Sequence, residues 1–438
     1  MKLSFNSISR FISSFHAVLF FTGFLLFTTV FYGTSFDGRE TSSLTISYRL
    51  FTLIVALLVI PFNLKLPHLN TQSKLFIFLW ICYLFRVIYD LFIRSDSSLI
   101  LPHNQLVLLH DVVVTCFIPM IVLFLSYKNL NWEAIFYAIM VVLTFCVLMA
   151  LLSDAKDYTQ RGILNIAQNT HVLGFYSAAL ILAGLTGIRA SQNHSKIKIT
   201  LFIIVVFIGA MGLGTSASRG PLVGLLLSIF LYPLFKHTFK TGLVLVGIVF
   251  ILFLFQDYFL NLIYGIFPVF VERFLLPGPE EGGITGREHI FKDAILQIKD
   301  NPLLGNWHRL YAENGLGNTA HNIILSTFMS LGIFIGSIIV YLYLYFIRLS
   351  VKLISLNSIY SYIGFLVLLC IGMSLTTGGD LIYKDNFNFA FAAILIVASN
   401  KALVEYKVLN QSNYMPHLHA ILGKKVKVHS GVRVTDSM

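Results

Sequence analysis

The chain has 438 residues, of which 57% are hydrophobic and only 12% charged, and its mean hydropathy is +0.80. This composition excludes a soluble globular domain and a disordered chain, and describes an integral membrane protein. The net charge of +11 does not imply nucleic-acid binding, because the excess lies on short loops and a tail beside apolar spans, facing anionic lipid.

Apolar runs long enough to cross about 30 Å of hydrocarbon at about 1.5 Å per residue recur along the whole chain. They predict an all-α integral membrane protein of about twelve spans, at 15 to 33, 46 to 64, 75 to 93, 106 to 126, 134 to 152, 170 to 188, 199 to 214, 221 to 236, 242 to 260, 320 to 347, 358 to 376 and 386 to 404. The first lacks a small-residue cleavage site and reads as a retained helix. With the N-terminus in the cytoplasm, and with Arg49, Lys236, Asp257 and Lys401 near span ends counted to the side they adjoin, the intracellular segments hold 18 Lys and Arg against three acids, Glu133, Glu405 and Asp436. The opposite side holds 12 basic and 15 acidic residues, a positive-inside distribution that predicts both termini to be cytoplasmic. The expected organisation is one polytopic domain over 1–438, with a large periplasmic loop at 261–319 and a cytoplasmic basic tail at 405–438. Cys82, Cys116, Cys146 and Cys370 fall in spans without disulfide or CxxC spacing and read as packing residues.

Polar residues that interrupt this pattern are the candidate functional ones. Arg86 and Asp90, spaced i, i+4 in the third span, read either as a structural ion pair or as a substrate contact. His171 follows Asn169 at the start of the sixth span, where Asn169 suits helix capping and His171 could line an acceptor site. Between the seventh and eighth spans, Thr215 to Pro221 places Ser218 and Arg219 at a helix start, whose free N–H groups can bind an anion. In the 261–319 loop, Thr285 and Glu288 have capping-box spacing, and Ile290, Phe291, Ala294, Ile295 and Ile298 follow on one helical face until Pro302. Gly286 and Arg287 open that helix, where a cation is mildly unfavourable for a purely structural role. His321 and Asn322 begin the tenth span, Asp380 sits in the turn after the eleventh, and the glycine pairs Gly220/Gly224 and Gly332/Gly336 suit close helix packing.

Ser218-Arg219-Gly220, Gly286-Arg287, the run Asn301-Pro302-Leu303-Leu304-Gly305, His321-Asn322 and Leu331-Gly332, in that order and on one side, resemble the bacterial O-antigen ligases and related lipid-linked polysaccharide polymerases. The resemblance covers about residues 160 to 400. It implies glycosyltransfer at the periplasmic face of the inner membrane, from a glycan linked to undecaprenyl diphosphate onto a sugar hydroxyl. Arg219, Arg287 and His321 match the family's functional residues. After His321-Asn322 this chain has Ile-Ile where some ligases have an acidic residue, which leaves the acceptor class open.

The chemistry fits those residue types. A departing diphosphate needs cations, and arginine offers a permanently charged planar fork. A sugar hydroxyl needs a base, and a neutral imidazole at a helix N-terminus can accept its proton. A diphosphate leaves without a general acid, so a single inverting displacement is expected, with no metal and no cofactor. Ser218, Gly286, Asn322, Arg86, His171 and Asp380 are the expected substrate-binding residues around that centre. The acceptor is expected to be lipid A-core, or a second lipid-linked repeat in a polymerase. A transporter or flippase is the alternative of another class, but polar sites clustered at one water face argue against it.

Overall fold

In hydrocarbon a backbone must satisfy its own hydrogen bonds, and the described residues of this chain do so almost entirely with helices. The computed structural model describes residues 5–30, 41–63, 71–93, 113–114, 117–126, 129–153, 170–191, 196–236, 264–274, 285–306, 310–311, 317–318, 320, 322–356 and 358–376. In chain order the helices are α1 (Phe5–Val30), α2 (Thr41–Val59), α3 (Thr71–Ile88), α4 (Ile118–Ser126), α5 (Trp132–Ser153), α6 (Thr170–Ala190), α7 (Lys196–Ser216) and α8 (Arg219–Lys236). They continue with α9 (Pro268–Phe274), α10 (Thr285–Asp300), α11 (Ile323–Ile354) and α12 (Ser361–Thr376). A two-residue antiparallel pairing, Leu310–Tyr311 with Gly317–Asn318, is the β structure among the described residues.

Among the described residues α3, α5, α6, α7 and α11 are long and apolar enough to cross a membrane, and Ser47–Phe62, Arg219–Phe230 and Ser361–Thr376 are shorter apolar helices. The expected ninth and twelfth spans, 242 to 260 and 386 to 404, lie outside the described residues, as does the 405–438 tail. α6 is the central helix. Of its apolar window 78% is buried, against 28% for the neighbouring α7, which turns Ile197, Leu201, Ile203, Ile204 and Phe207 outward as a lipid-type face. Small residues bring these two helices together, since a Cβ on Gly209 would lie 2.9 Å from Ser177 O and one on Gly184 would lie 2.9 Å from Phe202 O. Gly224 of α8 and Gly372 of α12 make a second close crossing, with 2.6 Å between a Cβ on Gly372 and the Cα of Gly224. Several helix hydroxyls bond back within their own helix, as in Thr29 to Leu25 O, Thr144 to Met140 O and Thr327 to Ile323 O.

The bundle has two polar ends. At one, Asn129 donates to Asn63 Oδ1 at 2.7 Å and to Ser9 Oγ at 3.0 Å, Ser14 accepts from Asn131 N–H, and Trp132 Nε1 reaches Ile359 O. This knot ties the starts of α1 and α5 to the end of α2 and the α11–α12 connection. The other end collects the last turns of α3, α7 and α12 and the first turns of α6 and α8.

The expected continuous span at 320 to 347 is replaced by a folded-back helix. Gly332 has φ 73° and ψ 173°, a conformation open essentially to glycine, and it divides α11 into limbs 323–331 and 333–354. Residues eight apart in a straight helix are separated by about 12 Å along the axis. Here a Cβ on Gly336 would lie 3.2 Å from Phe328 Cα, so the limbs double back against each other. At about 1.5 Å per residue the longer limb alone matches the hydrocarbon thickness, which the whole 32-residue helix would overshoot. Gly332 therefore serves as a corner, whereas the expected close packing is met at Gly224.

Gly332→Ala is expected to lower the melting temperature of detergent-solubilised protein, because the backbone alone costs about 1–3 kcal/mol there and the new Cβ would overlap Leu303 O. Gly265→Ala, where a Cβ meets nothing within 4 Å, is the matched control and should be silent. Equal melting of the two variants would contradict the corner.

Candidate functional site

The turn between α7 and α8 is built for close approach. Ala217 takes φ 43°, an uncommon value for a residue with a side chain, and its N–H donates to Gly214 O at 3.2 Å. Ser218, 1% exposed, then places its Oγ 2.6 Å from His171 Nδ1 in the first turn of α6. The contact is possible because Gly174 lies one turn further along α6, where a Cβ would stand 2.8 Å from Pro221 Cγ and 3.1 Å from Ser218 Cβ. Arg219 is the first residue of α8 and is only partly buried. The geometry joins a serine to a histidine, with Arg219 next in the chain at the start of α8.

A second group comes from the 261–319 region. Phe267 packs on α7, where a Cβ on Gly214 would meet its ring at 2.6 Å, which brings the start of α9 to this same end. On α10, Ala294 is buried against Ala320 and Met329, with Ile290, Ile298 and Leu325 packed around them. Ile290, Ala294 and Ile298 of the face expected from the sequence are met, whereas Ile295, also expected on it, is 44% exposed and lies off it with Leu296 at 56%. The segment 301–306 then docks into the corner of α11. Asn306 N–H donates to Met329 O at 2.6 Å, and Ile333 N–H donates to Pro302 O at 2.8 Å. These two bonds take the place of the helical bond from Ile333 to Met329 that the corner breaks. A Cβ on Gly305, which has φ 65°, would come within 2.5 Å of Gly332 N, so two glycines make the contact.

The N-terminus of the short limb is capped by Asn322, whose Oδ1 accepts from Ile324 and Leu325 N–H at 3.0 and 3.2 Å. Its Nδ2 donates to Leu375 O at 3.2 Å, which fixes the limb to the last turn of α12. The fold-back thus points the start of α11 toward the bundle. A helix start is again presented at the polar end, near the level where α12 crosses α8.

Arg86 and Asp90 form a fork-to-fork pair, with Nε to Oδ2 at 2.7 Å and Nη2 to Oδ1 at 2.6 Å. Asp90 is 1% exposed and stands in a π-helical turn, Tyr89–Ile93, that follows α3. Arg86 also donates to Asn306 Oδ1 at 3.0 Å and lies over the Tyr89 ring. Of the two readings open for Arg86, the ion pair is the one the geometry displays.

The expected residues therefore divide. Ser218 and His171 come into contact, Arg219 follows Ser218 at the start of α8, Asn322 is tied to the last turn of α12, and Arg86 is tied to Asp90 and Asn306. Gly286 and Arg287 open α10, where the backbone is described and the Arg287 side chain is not. His321 and Asp380 lie outside the described residues. Asn306 escaped the sequence reading, although its place directly after the Asn301 to Gly305 run was a signal for it.

These features define a polytopic helical membrane protein whose polar helix starts and docked loop gather at one end of the bundle. Residues 204–340 match the model of a family described as O-Antigen ligase, a stretch running from within α7 to the longer limb of α11. The match supports an O-antigen ligase family, and with it lipid-linked polysaccharide as the general class of substrate. Neither a curated protein nor a solved structure matches the chain.

Asn322→Ala should cost about 0.5–2 kcal/mol through loss of the cap. Asn322→Asp keeps the cap acceptor and loses only the bond to Leu375, so its melting temperature should fall between those of Asn322→Ala and the unaltered protein. Thermal unfolding of the three proteins in one detergent checks the order, and coincident transitions would contradict the capping role.

Proposed function

We propose that the chain is an O-antigen ligase-like glycosyltransferase that moves a glycan from undecaprenyl diphosphate to a hydroxyl of lipid A-core oligosaccharide at the periplasmic face of the inner membrane. The observation that carries this reading is the family match over 204–340, because it spans the turn with Ser218 and Arg219, the start of α10, the docked 301–306 segment and the start of α11. In the proposed reaction Arg219 and Arg287 hold the diphosphate as the glycosidic C–O bond breaks, and the N–H groups of the α8 start add to that field. His321, the residue before Asn322 in sequence, takes the proton of the acceptor hydroxyl as its oxygen attacks the anomeric carbon. The displacement inverts that carbon, and the arginines supply the positive charge that a metal would otherwise provide.

The Ser218 to His171 contact supports a fixed α7–α8 turn, because an arginine can select a diphosphate only if its backbone is held. The lipid tail of the donor would remain among the apolar outer faces, such as that of α7, with the glycan in water. A polymerase uses the same donor with a second lipid-linked repeat as acceptor. Lipopolysaccharide from a deletion strain distinguishes the two: free long chains on undecaprenyl diphosphate mark a ligase, and a single attached repeat marks a polymerase.

Transfer by purified protein, with a defined undecaprenyl diphosphate donor and each acceptor in turn, tests the reading. His321→Ala is expected to lower the rate by about 10²–10⁴-fold, and Arg219→Gln or Arg287→Gln by about 10²-fold or more. Unchanged transfer by His321→Ala, or lipid movement without transfer, would sink the enzyme reading.

A further inference from the structure

We infer that Asn306 is a positioning residue for the transfer site, itself held by Asp90 through Arg86; the inference rests on the transferase reading for its catalytic consequence, but not for its geometry. Asn306 is 5% exposed and uses three of its polar groups on three different elements. Its Oδ1 accepts from Arg86 of α3 at 3.0 Å, its N–H donates to Met329 O of the short limb at 2.6 Å, and its carbonyl accepts from Gln297 Nε2 of α10 at 3.2 Å. Loop packing alone would not require a buried carboxylate and a partly buried guanidinium in an apolar bundle, where each charge is costly unless paired. The pair of Asp90 and Arg86 is rigid by its fork geometry and the crossing of Arg86 over Tyr89. It therefore offers Asn306 one donor at one place.

The consequence concerns α10 and the short limb together. They pack on each other through Ala294, Ala320 and Met329, and Asn306 is bonded to both. α10 opens with Arg287 and the limb begins beside Asn322, so the two proposed catalytic ends belong to one packed unit. Arg86 also reaches Leu304 O at 3.5 Å, which adds a second, weaker tie from α3 to the same segment. α3 thereby fixes where that unit sits relative to the bundle that carries Arg219. Its removal is expected to leave the unit folded but imprecisely placed, which impairs the chemical step more than donor binding.

The test uses full-length protein in lipid nanodiscs, with bio-orthogonally attached spin labels at two exposed positions, Leu296 on α10 and Leu152 at the end of α5. Asn306→Ala should broaden the label-to-label distance distribution and reduce kcat by about 10- to 100-fold, with the donor KM changed far less. Asn306→Asp, which keeps an acceptor for Arg86, should restore a narrow distribution and most of kcat. Arg86→Lys, which can pair with Asp90 but lacks the second arm of the fork, should behave like Asn306→Ala and provides the test if that variant does not fold. A narrow, unshifted distribution in both Asn306→Ala and Arg86→Lys overturns the inference, as does a failure of Asn306→Asp to rescue. If unaltered protein transfers no glycan, the transferase reading fails, and the distance measurement still decides the positioning claim.

Discussion

One exchanged backbone hydrogen bond organises the polar end of this protein. The corner at Gly332 removes the bond from Ile333 to Met329, and the 301–306 segment supplies both missing partners, Pro302 O and Asn306 N–H. Away from water an orphaned N–H or C=O costs several kcal/mol, roughly as much as many single mutations can remove from a domain. The corner and the docked segment are therefore mutually dependent. Without the segment the corner is too costly, and without the corner the segment has no backbone to bond.

From that exchange the remaining geometry follows. The short limb turns back, its start is capped by Asn322 and tied to Leu375, and α10 lies along it through Ala294 and Met329. The bundle beneath is held by small-residue crossings, Gly184 and Gly209 between α6 and α7, and Gly224 with Gly372 between α8 and α12. Close crossings of this kind suit a medium in which apolar side chains gain little by leaving their surroundings. The α7–α8 turn then arrives at the same polar end, pinned by Ser218 to His171.

Much of this was legible in the sequence because hydrophobic periodicity reports directly on spans and faces. The helix from Thr285, its apolar face through Ile290, Ala294 and Ile298, and the helix start at Arg219 were all readable from residue spacing and turn chemistry. The corner was not. Residues 323 to 347 are apolar on both sides of Gly332, so hydropathy cannot separate a straight helix from two limbs, and a lone glycine is tolerated inside many membrane helices. Only the neighbouring backbone reveals it. Asn306 was hidden for a related reason, since its role depends on three elements far apart in sequence, and Asp90 could be paired with Arg86 from spacing but not connected to the loop.

The central claim is that the donor diphosphate is held at the end of the bundle that carries the α7–α8 turn, α10 and the corner of α11. The most direct measurement is photo-cross-linking with a short glycan on undecaprenyl diphosphate, the photoreactive group placed next to the diphosphate, followed by identification of the labelled peptides. Labels in the peptides containing Ser218 to Pro221 and 285 to 322, displaced by unlabelled donor, are the predicted result. Displaceable labelling confined to the opposite end, around Asn63 and Asn129, would contradict the account.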